Sequence, residues 1–389
     1  MDQARIGVIG FGARAGDVVG QIRRASDRAA VTAVFDPSPA GVERGRAINP
    51  DIAIEDEAAA LANRADVDWV VIGSPNALHR AHAEAAFAAG KHVFLEKPLA
   101  TTLDDCIAIR DAWRAAGTTC IVGYTLRCSP HFARIKRLLD EGGAGSIISM
   151  EFNETLEFNH GGFIHQDWRR HSAEAGSHLL EKCCHDLDLA NWYVGALPVR
   201  VASFGGLRFF TPDNRRHVER IGPQPETGRP AYGAWGREGD PFTDDKDIVD
   251  HQVVILEYAD GVRATFHTNC NAAIFERRTY ICGAEGAIRA DGAACRIEHQ
   301  RVGWDTPRKT IDTRDAGGGH GGADRVMGEG VVRTMFEGAP PLATPDDGVV
   351  SAAVALAADE AMAGGVVADL RPTWQRLELD PAAPTRGAP

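Results

Sequence analysis

The sequence predicts an α/β chain in two parts: an N-terminal doubly wound parallel sheet, then an α+β region built on a large, mostly antiparallel sheet. Three observations carry this. Up to Tyr124, short apolar runs alternate with helix-like stretches, as in parallel strands joined by crossover helices. The first run ends in Gly10-Phe11-Gly12 and passes at once into a helix pattern. Beyond Ser129 the runs are joined by tight turns such as Asp260-Gly261, a strong hairpin signal.

The first run, Arg5-Ile6-Gly7-Val8-Ile9, sets the reading of the rest. A strand, a glycine turn and a helix form the first βα turn of a dinucleotide fold. Gly10 permits the tight turn, and Gly12 lets the backbone approach a pyrophosphate without a Cβ in the way. Ala15, where a third glycine often sits, is small enough for helix and strand to pack closely. The helix N-terminus then offers unpaired N–H groups to phosphate, so Gly10, Phe11, Gly12, Ala13 and Arg14 are candidate cofactor contacts. A second run, Ala30 to Phe35, ends in Asp36, placed to accept hydrogen bonds from the adenosine ribose and to repel a 2′-phosphate. This predicts NAD in preference to NADP, with Arg14 the residue able to tolerate a 2′-phosphate.

Pro37-Ser38-Pro39 is a turn, followed by a polar helix ending near Pro50, a short strand Ala53-Ile54 and a helix from Asp56 to Ala62. Asp68 to Ile72 is a buried strand that runs into Gly73-Ser74-Pro75-Asn76-Ala77-Leu78-His79. An alanine-rich helix from Arg80 to Ala89 stops at Gly90, and the strand His92 to Leu95 leads into Glu96-Lys97-Pro98. Thr102, with Asp105 three residues on, caps a helix that ends at Gly117; Thr118 to Tyr124 is one more strand. Ligands lie at the carboxyl ends of such strands, so loops 10–16, 36–39, 73–79, 96–98 and 123–127 are expected to line one crevice.

In the second half, Pro130 to Asp140 and Gly176 to Tyr193 read as helices, and Ile147 to Leu156 and Val199 to Phe204 as strands. Residues 207–247 are polar and rich in Pro and Gly, a long excursion of the kind that is usually functional or mobile. His251–Tyr258 with Val262–Thr268, and Arg277–Cys282 with Ala287–Ala290, form two hairpins. One sheet face then needs helices or a second subunit to cover it. Gly317 to Asp324 is a flexible loop entering a helix, Val349 to Ala363 is a helix, and the tail after Asp380 is expected to fray. The expected domains are 1–127, 128–345, and a C-terminal segment 346–380 returning to brace the first.

The 389 residues suit about two domains. A formal charge of −12 and the lack of a basic stripe argue against nucleic acid as a partner. No run is long enough for a membrane span, and no charged segment followed by an apolar one stands at the start, so neither a membrane nor export is expected. Eight cysteines without a C-x-x-C pair read as reduced thiols in a cytoplasmic protein.

Five features taken together resemble the glucose–fructose oxidoreductase/inositol dehydrogenase family, written Gfo/Idh/MocA. They are Gly10-Phe11-Gly12, Ser74-Pro75-Asn76-Ala77-Leu78-His79, Glu96-Lys97-Pro98, Gly123-Tyr124-Thr125-Leu126-Arg127 and His185-Asp186-Leu187-Asp188, in the family's order and approximate spacing. The resemblance implies an NAD(P)-dependent oxidoreductase, cofactor contacts from Ser74, Asn76, His79, Glu96, Lys97 and Arg127, and a homodimer or homotetramer joined through the open sheet face. It also implies that an acid four residues before His185 works with it; here that acid is Glu181, where the family more often has Asp. Cys183 stands where a glycine is frequent, and Lys182 adds an ammonium. The family borders its substrate with the stretch that here holds Asp167, Trp168 and Arg169.

Hydride transfer is the cofactor's chemistry; the protein must hold a carbinol carbon, remove the hydroxyl proton and stabilise an oxyanion. Lys97, just after a strand at the crevice, can donate to a substrate oxygen and the nicotinamide ribose, and Pro98 aims it. His185, with an ordinary pKa of about 6.5, is the candidate general base. Glu181 and His185 at i and i+4 on one helix would share a face. Trp168 offers a platform for a sugar ring, and Asp167 or Arg169 can bind hydroxyls. Cys183, Cys184 and His185 are consecutive and fan about 100° apart on a helix, so no metal is expected there. His320 on its glycine loop reads as surface. The leading expectation is an NAD-dependent dehydrogenase of a secondary hydroxyl on a pyranose sugar, glycoside or cyclitol. Glycoside cleavage through a transient keto-sugar and a non-catalytic NAD-binding sensor are the alternatives.

Overall fold

The computed structural model describes residues 2–233, 239–314 and 319–383. The chain divides into two compact units, Met1–Pro130 with Asp315–Ala352, and His131–Arg314 with Ala353–Pro389.

The first unit is a six-stranded sheet: β1 (Ala4–Ile9), β2 (Ala29–Phe35), β3 (Ala53–Ile54), β4 (Trp69–Ile72), β5 (His92–Leu95) and β6 (Cys120–Val122). The order is β3-β2-β1-β4-β5-β6 and every pair is parallel. Helices cover both faces, so the central strands are buried on both sides, as the unbroken run Trp69-Val70-Val71-Ile72 shows. Strand order reverses between β1 and β4, the switch point at whose carboxyl edge ligands bind in sheets of this kind. The predicted Thr102 cap is present, its hydroxyl accepting from Asp105 N–H at 3.1 Å.

The segment expected to close the second domain belongs partly to the first unit. The helix Ala323–Glu337 buries Ala323, Met327, Val331 and Met335 in one core with Val18, Val19 and Ile22 of the helix Ala13–Ala25. Gly328 permits that approach: a Cβ there would come within 2.8 Å of the Gln21 backbone. Val122 N–H also donates to Ala343 O at 3.0 Å.

The second unit is a nine-stranded sheet: β7 (Ile147–Glu157), β8 (Pro198–Gly206), β9 (His251–Tyr258), β10 (Arg263–Ala272), β11 (Arg278–Gly283), β12 (Gly286–Asp291), β13 (Arg296–Arg301), β14 (Lys309–Asp312) and β15 (Val367–Asp369). The order is β14-β13-β12-β11-β7-β10-β9-β8-β15, antiparallel except for the β7–β10 pair. Both predicted hairpins are present, as β9–β10 and β11–β12. Strand β9 alternates buried and open residues: Val254, Leu256 and Tyr258 face the core, Val253 and Ile255 face out. Phe204 pairs in register with Val253 on the open face and is 72% exposed.

Two expectations change. The helix read over 176–193 is broken into His178–Glu181 and Cys184–Val194. The break turns Lys182 onto Glu154, at 3.2 Å, while Asp186 meets Arg277. Glu181 and His185 therefore do not stand on one continuous helix. The 207–247 excursion, which read as polar, carries its own aromatic core of Phe210, Tyr232 and Phe242. The buried carboxylate of Asp250 accepts the N–H groups of Arg208, Phe209 and Phe210, fixing the start of the excursion. Residues 234–238 of the excursion, Gly317-Gly318 and the tail from 384 lie outside the described residues. All eight cysteines are free thiols. Among the described residues, no helix is long and apolar enough to cross a membrane.

Candidate functional site

In the first unit the glycine turn lies at the reversal of strand order. Gly10 has φ +75 and its N–H donates to Phe35 O at 2.9 Å. A Cβ on Gly10 would sit 2.5 Å from Ser74 N, so the loops after β1 and β4 touch. A Cβ on Gly12, by contrast, would meet no atom within 4 Å: it points into open space at the head of the helix Ala13–Ala25. That helix has no side-chain cap hydrogen bond, and Gly12 and Ala13 at its head are exposed, an arrangement that suits an anion. Ala15 packs against Gly73, where a Cβ would close to 2.8 Å, so a small residue here serves the packing expected of it.

Phe11 is fully buried, and only its backbone faces the turn. Its N–H donates to Asp36 Oδ2 at 2.6 Å, and Asp36 Oδ1 accepts from Ser38 N–H at 2.8 Å. The carboxylate is thus aimed at the end of β2, where a ribose would sit. Gly41 makes room for the carboxylate itself: a Cβ there would fall 2.1 Å from Asp36 Oδ2. Arg44, missed in the sequence, donates to Phe11 O. These residues fit a dinucleotide: an open helix head for phosphate and a carboxylate for the ribose.

Lys97, half-buried, follows β5 on the same edge, and its peptide bond to Pro98 is cis. His79 is buried with Nδ1 2.9 Å from Pro98 O and Nε2 3.1 Å from Ser74 O. Burial pushes this imidazole below its usual pKa against the pull of the two carbonyls. A neutral ring has one N–H and donates to one of these oxygens, with the other a close contact, so the ring sits between the two loops. Ser74 Oγ pairs with His82 Nδ1 at 2.9 Å, and Asn76 is buried in the next turn. Two expected cofactor residues have their guanidinium groups committed inside the protein. Arg14 pairs with Glu96 and Asp324 rather than Asp36, which removes it as a ready partner for a 2′-phosphate. Arg127 donates to Leu342 O at 2.8 Å and to Asp347 Oδ1 at 3.0 Å, holding the C-terminal segment. Its position after β6 was legible in the sequence; its partner 220 residues away was not.

In the second unit, Asp167 begins a short turn at φ +48, a conformation uncommon for a non-glycine residue. Arg169 reaches back to Asp167 Oδ1 at 3.3 Å and to Glu181 Oε1 at 3.5 Å. Its guanidinium lies 4.3 Å from the Trp168 ring centre and 4.4 Å from that of Phe163. One face of the expected sugar platform is therefore taken by a cation. Glu181 closes one helix and His185 lies in the first turn of the next, both buried.

Behind them is a charge cluster the sequence did not reveal. Glu154 Oε1 is 3.2 Å from Lys182 Nζ and 3.1 Å from Arg277 Nη1, and Arg277 also binds Asp186. Burial and the neighbouring Glu154 raise Asp186, while Arg277 and Lys182 outweigh burial and hold Glu154 low. Glu154, Cys183 and Asp186 approach one another closely enough for a shared ion, but two cations already sit against the carboxylates. Burial drives the Cys183 thiol well up, so it is a poor thiolate donor.

The glycine turn on a parallel sheet, with a separate antiparallel-sheet unit, is the architecture of a two-part chain with a Rossmann-type nucleotide fold. Two family profiles match: the oxidoreductase family with an NAD-binding Rossmann fold over residues 4–124, and the GFO/IDH/MocA C-terminal domain over 132–289. The chain belongs to the Gfo/Idh/MocA oxidoreductase family, and NAD is the family's nucleotide. It is 29% identical to the 2,7-anhydro-N-acetylneuraminate hydratase of Escherichia coli (strain K12), over 73% of this chain and 67% of that protein. It is 31% identical to the inositol 2-dehydrogenase of Gluconacetobacter diazotrophicus over 48% of this chain, spanning 53% of that relative's length. In structure it is similar to a levoglucosan dehydrogenase in complex with NADH and levoglucosan, with TM-score 0.79, 19% identity, and 95% and 100% of the two chains covered.

Proposed function

We propose that this chain is an NAD-dependent dehydrogenase of a secondary hydroxyl on a pyranose sugar, glycoside or cyclitol. The observation that carries the reading is the edge of the six-stranded sheet. The glycine turn stands where strand order reverses, and Lys97 follows β5 on that same carboxyl edge. Bound NAD supplies the hydride acceptor. Gly12 and the open helix head hold its phosphates, and Asp36 its ribose. Lys97 donates to the substrate oxygen and offsets the charge that develops there. His185 takes the hydroxyl proton, and Glu181 orients it or binds a second hydroxyl. In the second unit each cation near Glu181 is matched: Arg169 by Asp167 and Glu181, Lys182 and Arg277 by Glu154 and Asp186. Among the described residues, these cations near Glu181 leave no unmatched positive charge for an acidic sugar, which favours a neutral polyol.

The relation to a hydratase of an anhydro-sugar favours one second reading, cleavage or hydration through a transient keto-sugar with NAD regenerated. Open-face residues Phe204, Val253, Ile255 and Tyr280 support a subunit contact, and hence a homodimer or homotetramer. Free thiols throughout fit a cytoplasmic setting.

The test is NADH absorbance with a panel of neutral sugars, glycosides and inositols. Turnover that falls about 10²–10⁴-fold in His185→Ala supports the dehydrogenase. Product formation without net NADH supports the second reading. NADH binding with neither outcome leaves the sensor.

A further inference from the structure

Arg14 stands in the first turn of the helix that follows the glycine turn, where a cation would be expected to serve a phosphate. Its donors point elsewhere. Nε donates to Glu96 Oε1 at 2.9 Å, Nη1 to Asp324 Oδ1 at 2.7 Å and Nη2 to Thr125 Oγ1 at 2.7 Å. The partners come from the loop after β5, the loop after β6 and the first turn of the helix Ala323–Glu337. The Glu96 and Asp324 side chains are only 8% and 6% exposed. Two carboxylates at that depth need a cation between them.

The far sides of both acids are also occupied. Glu96 Oε2 accepts the backbone N–H of Lys97 at 3.3 Å and lies under Gly123, where a Cβ would come within 3.1 Å of it. Asp324 Oδ2 is 2.9 Å from His320 Nδ1, and a Cβ on Gly319 would fall 2.3 Å from the same oxygen. Burial opposes ionisation of Asp324, but His320 and Arg14 outweigh it and hold the carboxyl at about 2. A continuous line of contacts runs from His320 through Asp324, Arg14 and Glu96 to the backbone of Lys97. On the other side of Lys97, Pro98 O is tied to His79.

We propose that Arg14 is a positioning residue for Lys97 and not a phosphate ligand. It fastens Glu96, and Glu96 fastens the peptide that carries the lysine. Only a guanidinium fork spans three acceptors in this way; a lysine ammonium would reach fewer at proper geometry. The role in turnover rests on the reading of Lys97 as the group that meets the substrate, whereas the fastening itself does not.

The test uses the full chain with Arg14→Met and Arg14→Lys, and three readouts. These are the NADH dissociation constant by fluorescence, kcat and KM on whichever polyol is turned over, and hydrogen exchange of the Lys97 amide. In Arg14→Met the amide should exchange at least about tenfold faster. Its kcat should fall by about tenfold or more while NADH affinity stays within about threefold, with Arg14→Lys in between. Asp324→Asn, which leaves the Arg14–Glu96 pair, should disturb the amide less. Weaker NADH binding by about tenfold with unchanged exchange and unchanged kcat would make Arg14 a phosphate ligand and overturn the proposal. If the Met variant does not fold, the Lys and Asn variants decide by the same exchange readout. If the wild type turns over no polyol, the proposed activity falls, and amide exchange with NADH titration still decides the role of Arg14.

Discussion

Arg277 grips Asp186 through two parallel hydrogen bonds, Nε to Oδ1 at 2.8 Å and Nη2 to Oδ2 at 2.6 Å. Its Nη1 is 3.1 Å from Glu154, which Lys182 also approaches. One guanidinium therefore joins β7, the region before β11 and the helix that bears His185. Arg277→Met leaves two buried carboxylates with a single cation. It should lower stability by about 3–5 kcal/mol. Urea unfolding measures this; a loss under about 1 kcal/mol would show the cluster to be dispensable.

Gly10 and Gly12 serve different masters, and alanine separates them. Gly10→Ala forces φ +75 on a residue with a Cβ and drives that Cβ to 2.5 Å from Ser74 N. A loss of about 1–3 kcal/mol is expected. Gly12 has φ −64 and open space around its missing Cβ. Gly12→Ala should leave stability within about 0.5 kcal/mol. Its NADH affinity should nevertheless fall, because the added methyl occupies the phosphate approach. Thermal melts paired with NADH titration read both, and unchanged affinity in Gly12→Ala would remove the turn from the cofactor site.

If Asp36 holds the adenosine ribose as proposed, it sets the choice of nucleotide. Its two oxygens are aimed by the N–H groups of Phe11 and Ser38. Asp36→Asn keeps the shape but loses the charge that repels a 2′-phosphate. The NADPH/NADH affinity ratio should rise by about tenfold or more, mostly through weaker NADH binding. Fluorescence titration with both nucleotides checks it, and an unchanged ratio would place the discrimination elsewhere.

Asp359 gives a pH signature in the second unit. Burial raises its carboxyl to about 6, only partly offset by hydrogen bonds from Ser177 and Gln252. Because the folded value lies above the unfolded one, the associated stability is complete below about pH 4 and is lost as pH rises through about 6. Asp359→Asn cannot ionise and keeps an acceptor for Gln252, 3.1 Å away in the wild type. It should be more stable than wild type by about 2–3 kcal/mol at pH 8 and show little gain at pH 4. Equal effects at both pH values would contradict the shift.

Local chemistry made much of the first unit readable. Strand, glycine turn, helix and terminal acid are near neighbours in the chain, and their spacing dictates the turn, the parallel sheet and the position of Asp36. The hairpin at Asp260-Gly261 was readable for the same reason. The break at Lys182-Cys183 was not, because the pattern from Gly176 to Tyr193 is helical throughout and the break follows contacts with Glu154 and Arg277. Nor was the aromatic core of the 207–247 excursion, whose few large residues are scattered among polar ones.

By itself the sequence determined the class of fold, the glycine turn, the carboxylate at the end of β2 and the place of Lys97 after β5. Each of these depends on residues a few positions apart, where backbone geometry leaves little choice. Tertiary structure alone decided which partners the charged side chains take. Arg14 with Asp324, Arg127 with Asp347 and Arg277 with Asp186 are joined across 310, 220 and 91 residues. A buried charge must find its counter-ion, and which one it finds is settled only when distant segments are brought together.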